Sequence, residues 1–142
     1  MKNIDDKLFD CFKDVANKIH NLHKELLNHF GLNLSQLKII NILEEKKELL
    51  QTELSDACLI DKPATSRIVN KMSDCGLIQK SSKKDNRKNI YVSLSESGKK
   101  LADKIKEKLK SLKLKCFEKL EEKDKNMFFN LLEKTLKGES NA

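Results

Sequence analysis

Of the 29 basic residues in this chain only two are arginine, Arg67 and Arg87. A guanidinium is a planar fork of donors, and it matches a base edge or a phosphate better than the compact ammonium of lysine does. The two positions therefore mark where donor shape could matter. Arg67 lies in the run Asp61-Lys62-Pro63-Ala64-Thr65-Ser66-Arg67-Ile68-Val69-Asn70-Lys71-Met72. Thr65, Ile68, Val69 and Met72 stand at i, i+3, i+4 and i+7, which makes them the buried side of a helix. Lys62, Pro63, Ser66, Arg67, Asn70 and Asp74 then fall on the opposite side. Asp61 can cap this helix, Pro63 is tolerated in its first turn, and Gly76 stops it. Its free amino-terminal N–H groups and dipole suit a phosphate. Ser66, Arg67 and Asn70 are hydrogen-bonders at the spacing of a major-groove reader. By themselves the same residues also describe an ordinary polar helix face.

The segment after Gly76 changes the balance. The period shifts from helical to extended in Leu77-Ile78-Gln79-Lys80 and again in Ile90-Tyr91-Val92-Ser93-Leu94. Residues 81–89 between them are polar and turn-rich, so the pattern predicts a β-hairpin with a long basic tip. From Gln79 to Lys88 the hairpin holds Lys80, Lys83, Lys84, Arg87 and Lys88 against one acid, Asp85. A basic tip of this kind fits a minor groove or a phosphate backbone, where negative potential is concentrated. Both arginines thus fall on the two elements that would touch a nucleic acid. The candidate contacts are Lys62, Pro63, Ala64, Thr65, Ser66, Arg67, Asn70 and Lys71 on the helix, and Lys83, Lys84, Asp85, Arg87 and Lys88 on the hairpin.

Charge along the chain agrees with a polyanion-facing middle. The formal net charge is +7, with residues 1–50 neutral, 51–98 at +2, 99–115 at +6 and 116–142 at −1. A basic middle between near-neutral ends is the footprint expected of a nucleic-acid partner, although a lysine-rich solvated surface carries the same charge.

The elements that must position these residues are mostly helical. Ile4, Leu8, Phe12, Val15, Ile19, Leu22, Leu26 and Phe30 recur in steps of three or four, one stripe of a long helix that Gly31 ends. A helix of about 26 residues is roughly 40 Å long. That is too long for the rest of so small a chain to cover, so part of the stripe should meet another copy. Asn33 and Gln36 form a capping-box pair before a shorter helix with Leu37, Ile40, Ile42 and Leu43. A third helix begins near Gln51 with Leu54, Ala57 and Cys58, and the apolar Leu59-Ile60 joins it to the Arg67 helix, Ile60 plugging the core between the two. Ser95 or Ser97 caps a later helix striped by Leu101, Ile105, Leu109, Leu112, Cys116 and Leu120. After Glu121-Glu122-Lys123-Asp124 a last helix carries Phe128, Phe129, Leu132 and Leu136. The expected fold is mainly α with a small β-hairpin wing: a winged helix–turn–helix over residues 33–98, flanked by dimerisation helices at 1–31 and 97–137, in one domain over residues 1–142.

At this point the chain resembles the MarR family. Asp61-Lys62-Pro63-Ala64-Thr65-Ser66-Arg67-Ile68-Val69 is similar to that family's D-K-S-T-V-T-R-L-V. Gly76-Leu77-Ile78 matches G-L-V, nine residues after the Arg. Asp85-Asn86-Arg87 with Val92-Ser93-Leu94-Ser95 resembles the wing motif D-x-R followed by V-x-L-T. Pro63 and Ala64 replace two hydroxyl residues usual at the start of the recognition helix, so the target sequence should differ. Leu50 occupies a usual capping position. The resemblance implies a homodimer on a palindromic double-stranded DNA operator. It also implies a small aromatic or anionic effector, and repression as the common mode.

Other chemistries find little support. No Ser/His/Asp triad, phosphate loop or metal-ligand spacing is present, so neither an enzyme nor a cofactor is expected. His20, His23 and His29 read as surface or interface residues. Cys11, Cys58, Cys75 and Cys116 have no C-x-x-C spacing and read as small buried hydrophobes in a reducing cytosol. One alternative is a thiol-based redox-sensing regulator acting through Cys11, but Tyr91 is the one tyrosine and lies in the wing. A winged helix serving as a protein-interaction module is another, and it would need an apolar recognition face, which Ser66, Arg67 and Asn70 do not make. No run of 18 apolar residues occurs, and Asp5, Asp6 and Asp10 interrupt any leader, so a cytoplasmic protein with no membrane contact is expected.

Overall fold

The structure, a computed structural model, describes residues 1–83 and 86–140, with side chains for all of these except 83, 86–88 and 138–140. The chain divides into two compact units, Met1–Glu107 and Lys108–Ala142.

The first unit begins with α1 (Ile4–Phe30). Asn3 caps it by accepting from the Asp6 N–H at 2.8 Å, and Asp5 and Asp6 complement the dipole of the first turn. Gly31 ends it at φ +64°, which lets the Leu32 N–H reach back to the Leu27 carbonyl at 2.9 Å. Then α2 (Leu34–Lys46) opens on the expected capping box: Asn33 and Gln36 each accept the other's backbone N–H at 2.9 Å. The chain turns at Lys47 (φ +70°) into a short strand, β1 (Glu48–Leu50), and on into α3 (Gln51–Cys58) and α4 (Lys62–Asp74). Two strands follow, β2 (Ile78–Lys83) and β3 (Asn86–Leu94), and then α5 (Glu96–Cys116).

The sheet has three antiparallel strands in the order β1-β3-β2. Leu49 pairs with Val92 on one side of β3, and Lys80 pairs with Val92 on the other. The hairpin is the wing read from the sequence, with two corrections. β1 is an added strand, and β2 and β3 run into the segment expected to be a long tip, with an irregularity between Ser81 and Lys83. The core of this unit is built from Leu26, Ile40, Leu43, Leu54, Val69 and Met72, each at most 1% exposed, with buried Val92 contributed by the central strand β3.

Burial differs from expectation in several places. Ala57 lies on the exposed side of α3, while Ser55 takes a buried place beside Leu54 and Cys58. Cys58 is buried, but Cys11 and Cys75 are exposed and Cys116 is half-buried, so only one of the four cysteines is a core residue. On α1 only Leu26 is buried. Ile4, Leu8, Phe9, Phe12, Val15 and Ile19 face solvent, Ile4 at 68% and Phe9 at 65% of full exposure.

The second unit holds the end of α5 and α6 (Glu122–Ser140). α5 stops at Cys116, four residues short of Leu120, and turns over residues 117–119 lead to α6, so the break between the helices is short. Leu112 is buried, whereas Leu114, Phe117, Met127, Phe129, Leu131 and Leu136 are exposed. Among the described residues no helix is long and apolar enough to cross a membrane.

Candidate nucleic-acid interface

The turn between α3 and α4 is held by two buried hydroxyls. Leu59 takes a left-handed conformation (φ +54°) and projects into solvent at 90% exposure. The Ile60 N–H then returns to the Ser55 carbonyl at 3.1 Å. Ser55 Oγ donates to the Ile60 carbonyl at 2.5 Å, and Thr65 Oγ1 donates to the Asp61 carbonyl at 2.9 Å. Ser55 and Thr65 are 3% and 0% exposed. Ser55 thus partners the Ile60 carbonyl, and the Thr65 hydroxyl shares the Asp61 carbonyl with its own backbone N–H, so neither buried hydroxyl is left without a partner. Ile60, expected to plug the core, is half-buried. Asp61 caps α4 by accepting the Ala64 N–H at 2.7 Å, with Pro63 in the first turn.

The candidate contacts on α4 separate by burial. Lys62, Pro63, Arg67, Asn70 and Lys71 are exposed, and Ala64 and Ser66 are half-buried. Thr65 lies with Val69 and Met72 on the buried side, its hydroxyl spent on Asp61, so the structure separates it from the exposed face. Positions 63, 67, 70 and 74 recur at steps of three and four and share one side of the helix. On the wing, Lys83 lies in β2, and Arg87 and Lys88 lie in β3; their side chains, and all of Lys84 and Asp85, lie outside the described residues.

A side-chain hydrogen bond joins the two elements. Lys80 Nζ, on β2, donates to Asn70 Oδ1, on α4, at 2.5 Å. Lys80 was legible only as one of several hairpin lysines; no sequence signal pairs residues ten apart across a helix, a turn and a strand.

The foot of the wing is locked to the start of α5. Ser95 accepts the Gly98 N–H at 3.0 Å as the cap of α5, and its hydroxyl donates to the Gly76 carbonyl at 2.5 Å. Its own N–H bonds the Leu77 carbonyl at 3.0 Å. Gly98 presses so closely on Leu77 that a β-carbon there would lie 2.2 Å from the Leu77 carbonyl oxygen. Of the two hydroxyls the sequence offered as caps, Ser95 is the one used.

An open cleft of about 420 Å³ lies behind the sheet, lined in part by Leu43, Glu44, Lys47, Glu48, Lys99 and Asp103. Glu44 is paired with Lys106. Elsewhere, burial pushes the Cys58 thiol above its ordinary pKa, with Lys38 pulling less strongly the other way.

Residues 30–88 match the model of the MarR family. A search of curated proteins finds no match by sequence. Solved structures share the fold at low identity. YusO from Bacillus subtilis is 16% identical over 96% of this chain and 99% of its own, with a TM-score of 0.82. Wild-type MarR from E. coli, in its apo form, is 18% identical over 91% of this chain and 96% of its own, at 0.75. The MepR F27L mutant of S. aureus, bound to an oligodeoxyribonucleotide, is 16% identical over 92% and 96%, at 0.76. The stretch with the helix–turn–helix and most of the wing is thus similar to the MarR family, and the winged helix–turn–helix fold of these solved structures is shared along nearly the whole chain.

Proposed function

We propose that the protein is a sequence-specific DNA-binding transcriptional regulator rather than an enzyme: a cytoplasmic, ligand-responsive, dimeric repressor of a palindromic operator. Helix α4 lies in the major groove and the wing lies beside it. The observation that carries this reading is the exposed face of α4, where Lys62, Arg67, Asn70 and Lys71 stand clear of the core and Asn70 is tied to the basic wing through Lys80. The MepR mutant on the same fold, bound to an oligodeoxyribonucleotide, supports it.

Dimerisation through residues 1–31 and 97–137, in a single MarR-type domain over 1–142, is part of the same proposal. Exposed Ile4, Leu8, Phe9 and Phe12 on α1 support it, and so, separately, do exposed Phe117, Phe129 and Leu131 of the second unit, since clustered large apolar side chains in solvent mark an interface. A two-fold dimer reads two half-sites about one helical turn apart, roughly 34 Å. An aromatic or anionic effector belongs to the proposal through the family.

The experiment is recovery of bound genomic fragments, followed by gel-shift titration of wild type and Arg67→Ala on the recovered site. Arg67→Ala is expected to cost about 1–3 kcal/mol of operator binding. Wild-type affinity should fall steeply with added salt. An Arg67→Ala protein that binds the site as tightly as wild type removes α4 from the groove.

A further inference from the structure

We infer that Asn70 and Lys80 act as one donor unit that reads guanine, and not adenine, at one position of each half-site. The inference rests on α4 being the DNA-facing helix. An amide nitrogen cannot accept a hydrogen bond, so the Asn70 atom 2.5 Å from Lys80 Nζ is the carbonyl oxygen Oδ1. The pairing is charge-assisted and sets the orientation of the amide. Nδ2, on the other branch of the amide, is left with its two donors on a side Lys80 does not hold.

An asparagine reads adenine by doing two things at once: its oxygen accepts from the N6 amino group while its nitrogen donates to N7. Here the oxygen is held by an ammonium. A second donor brought to that oxygen, such as the adenine amino group, would meet the like polarity of the Lys80 N–H groups. Guanine offers O6 and N7, both acceptors, side by side. Nδ2 of Asn70 and a remaining N–H of Lys80 can meet those two, and Arg67, one turn earlier on the same face, is likewise a donor without an acceptor. The arrangement is rooted in regular structure at both ends. Val69 and Met72, on either side of Asn70, are fully buried, and Lys80 stands in β2 paired in register with Val92 of β3. Asn70 and Lys80 are themselves exposed, so replacing them leaves the core intact.

The test is selection of half-sites from randomised duplex DNA by the full-length protein and its Asn70→Ala, Asn70→Asp and Lys80→Met variants. Asn70→Ala identifies the position that Asn70 reads, as the one whose base preference it flattens. Wild type is expected to select guanine there, with adenine weaker by roughly tenfold or more. Lys80→Met frees Oδ1 and should move the guanine-to-adenine ratio at that position toward adenine by a similar factor. Asn70→Asp keeps the Lys80 partner but loses the outward donors, and should lose the guanine preference. Adenine at that position in wild type overturns the inference. So does an unchanged ratio in Lys80→Met with affinity lowered alike for every sequence, the mark of a purely structural tie, and so does an Asn70→Ala protein that flattens no position. If wild type enriches no sequence at all, DNA reading by α4 falls first and this inference falls with it.

Discussion

A β-carbon on residue 98 has nowhere to go. The obstacle is the Leu77 carbonyl oxygen, 2.2 Å away, and a backbone atom cannot swing aside as a side chain can. Gly98→Ala is expected to lower stability by about 1–3 kcal/mol, the usual cost of overpacking, measured by thermal or denaturant unfolding. Cys58 carries a different prediction. Burial raises its pKa in the folded state, so unfolding favours loss of the thiol proton. The contribution of the buried thiol is fully present below the unfolded thiol pKa and is lost as pH rises from there through the folded value. Denaturant midpoints measured between neutral pH and pH 10 should therefore fall for wild type, and fall less for Cys58→Ala, which starts from a lower plateau because it leaves a cavity. Arg67 and Asn70 were legible from residue type and helical spacing. Thr65 satisfied two patterns at once, a buried stripe and a family recognition motif, and packing decided for the stripe because its hydroxyl finds a partner inside the turn.

Elements were readable where their signal was local. α1 has the bounds expected from its stripe because Gly31 supplies the left-handed turn that ends it, and α2 opens on its capping box because Asn33 and Gln36 carry both halves of the exchange. β1 is three residues long and pairs with a strand more than forty residues away, so nothing near Glu48 announces it. The ends of β2 and β3 were hidden for another reason. Exposed strand residues such as Ser81 and Ser82 have no apolar alternation to show, and polar serines and lysines look like a loop. The break between the chain's two units inside α5 leaves no mark in a stripe that continues across it. At this scale the cap of α4 is the sensitive point. Asp61 accepts the Ala64 N–H at 2.7 Å, which ties down the first turn. Asp61→Ala is expected to cost about 1 kcal/mol of stability. It should also weaken operator binding, because the first turn of α4 would fray where Lys62 and Pro63 stand; unfolding and gel-shift measurements on the same preparation separate the two effects.

Large apolar side chains stand in solvent along much of α1. On α1 the exposed residues span Ile4 to Ile19, most of the helix before Leu26 enters the core. If that surface is a subunit interface, Leu8→Glu combined with Phe12→Glu should turn the dimer into a monomer in sedimentation at micromolar concentration. Operator affinity should fall with it, since one recognition helix binds a half-site without its twin. A double variant that stays dimeric would place the interface elsewhere. The seam between the wing and α5 bears on how such a dimer could change state. Ser95 grips Gly76 and Leu77, and Gly98 rests against the same Leu77 carbonyl with no space between them. A tilt of the first turn of α5 must carry residues 76–78 with it, and through them the end of α4 and the root of β2. A displacement of that turn is therefore felt at the end of α4, as a crank's is at its shaft.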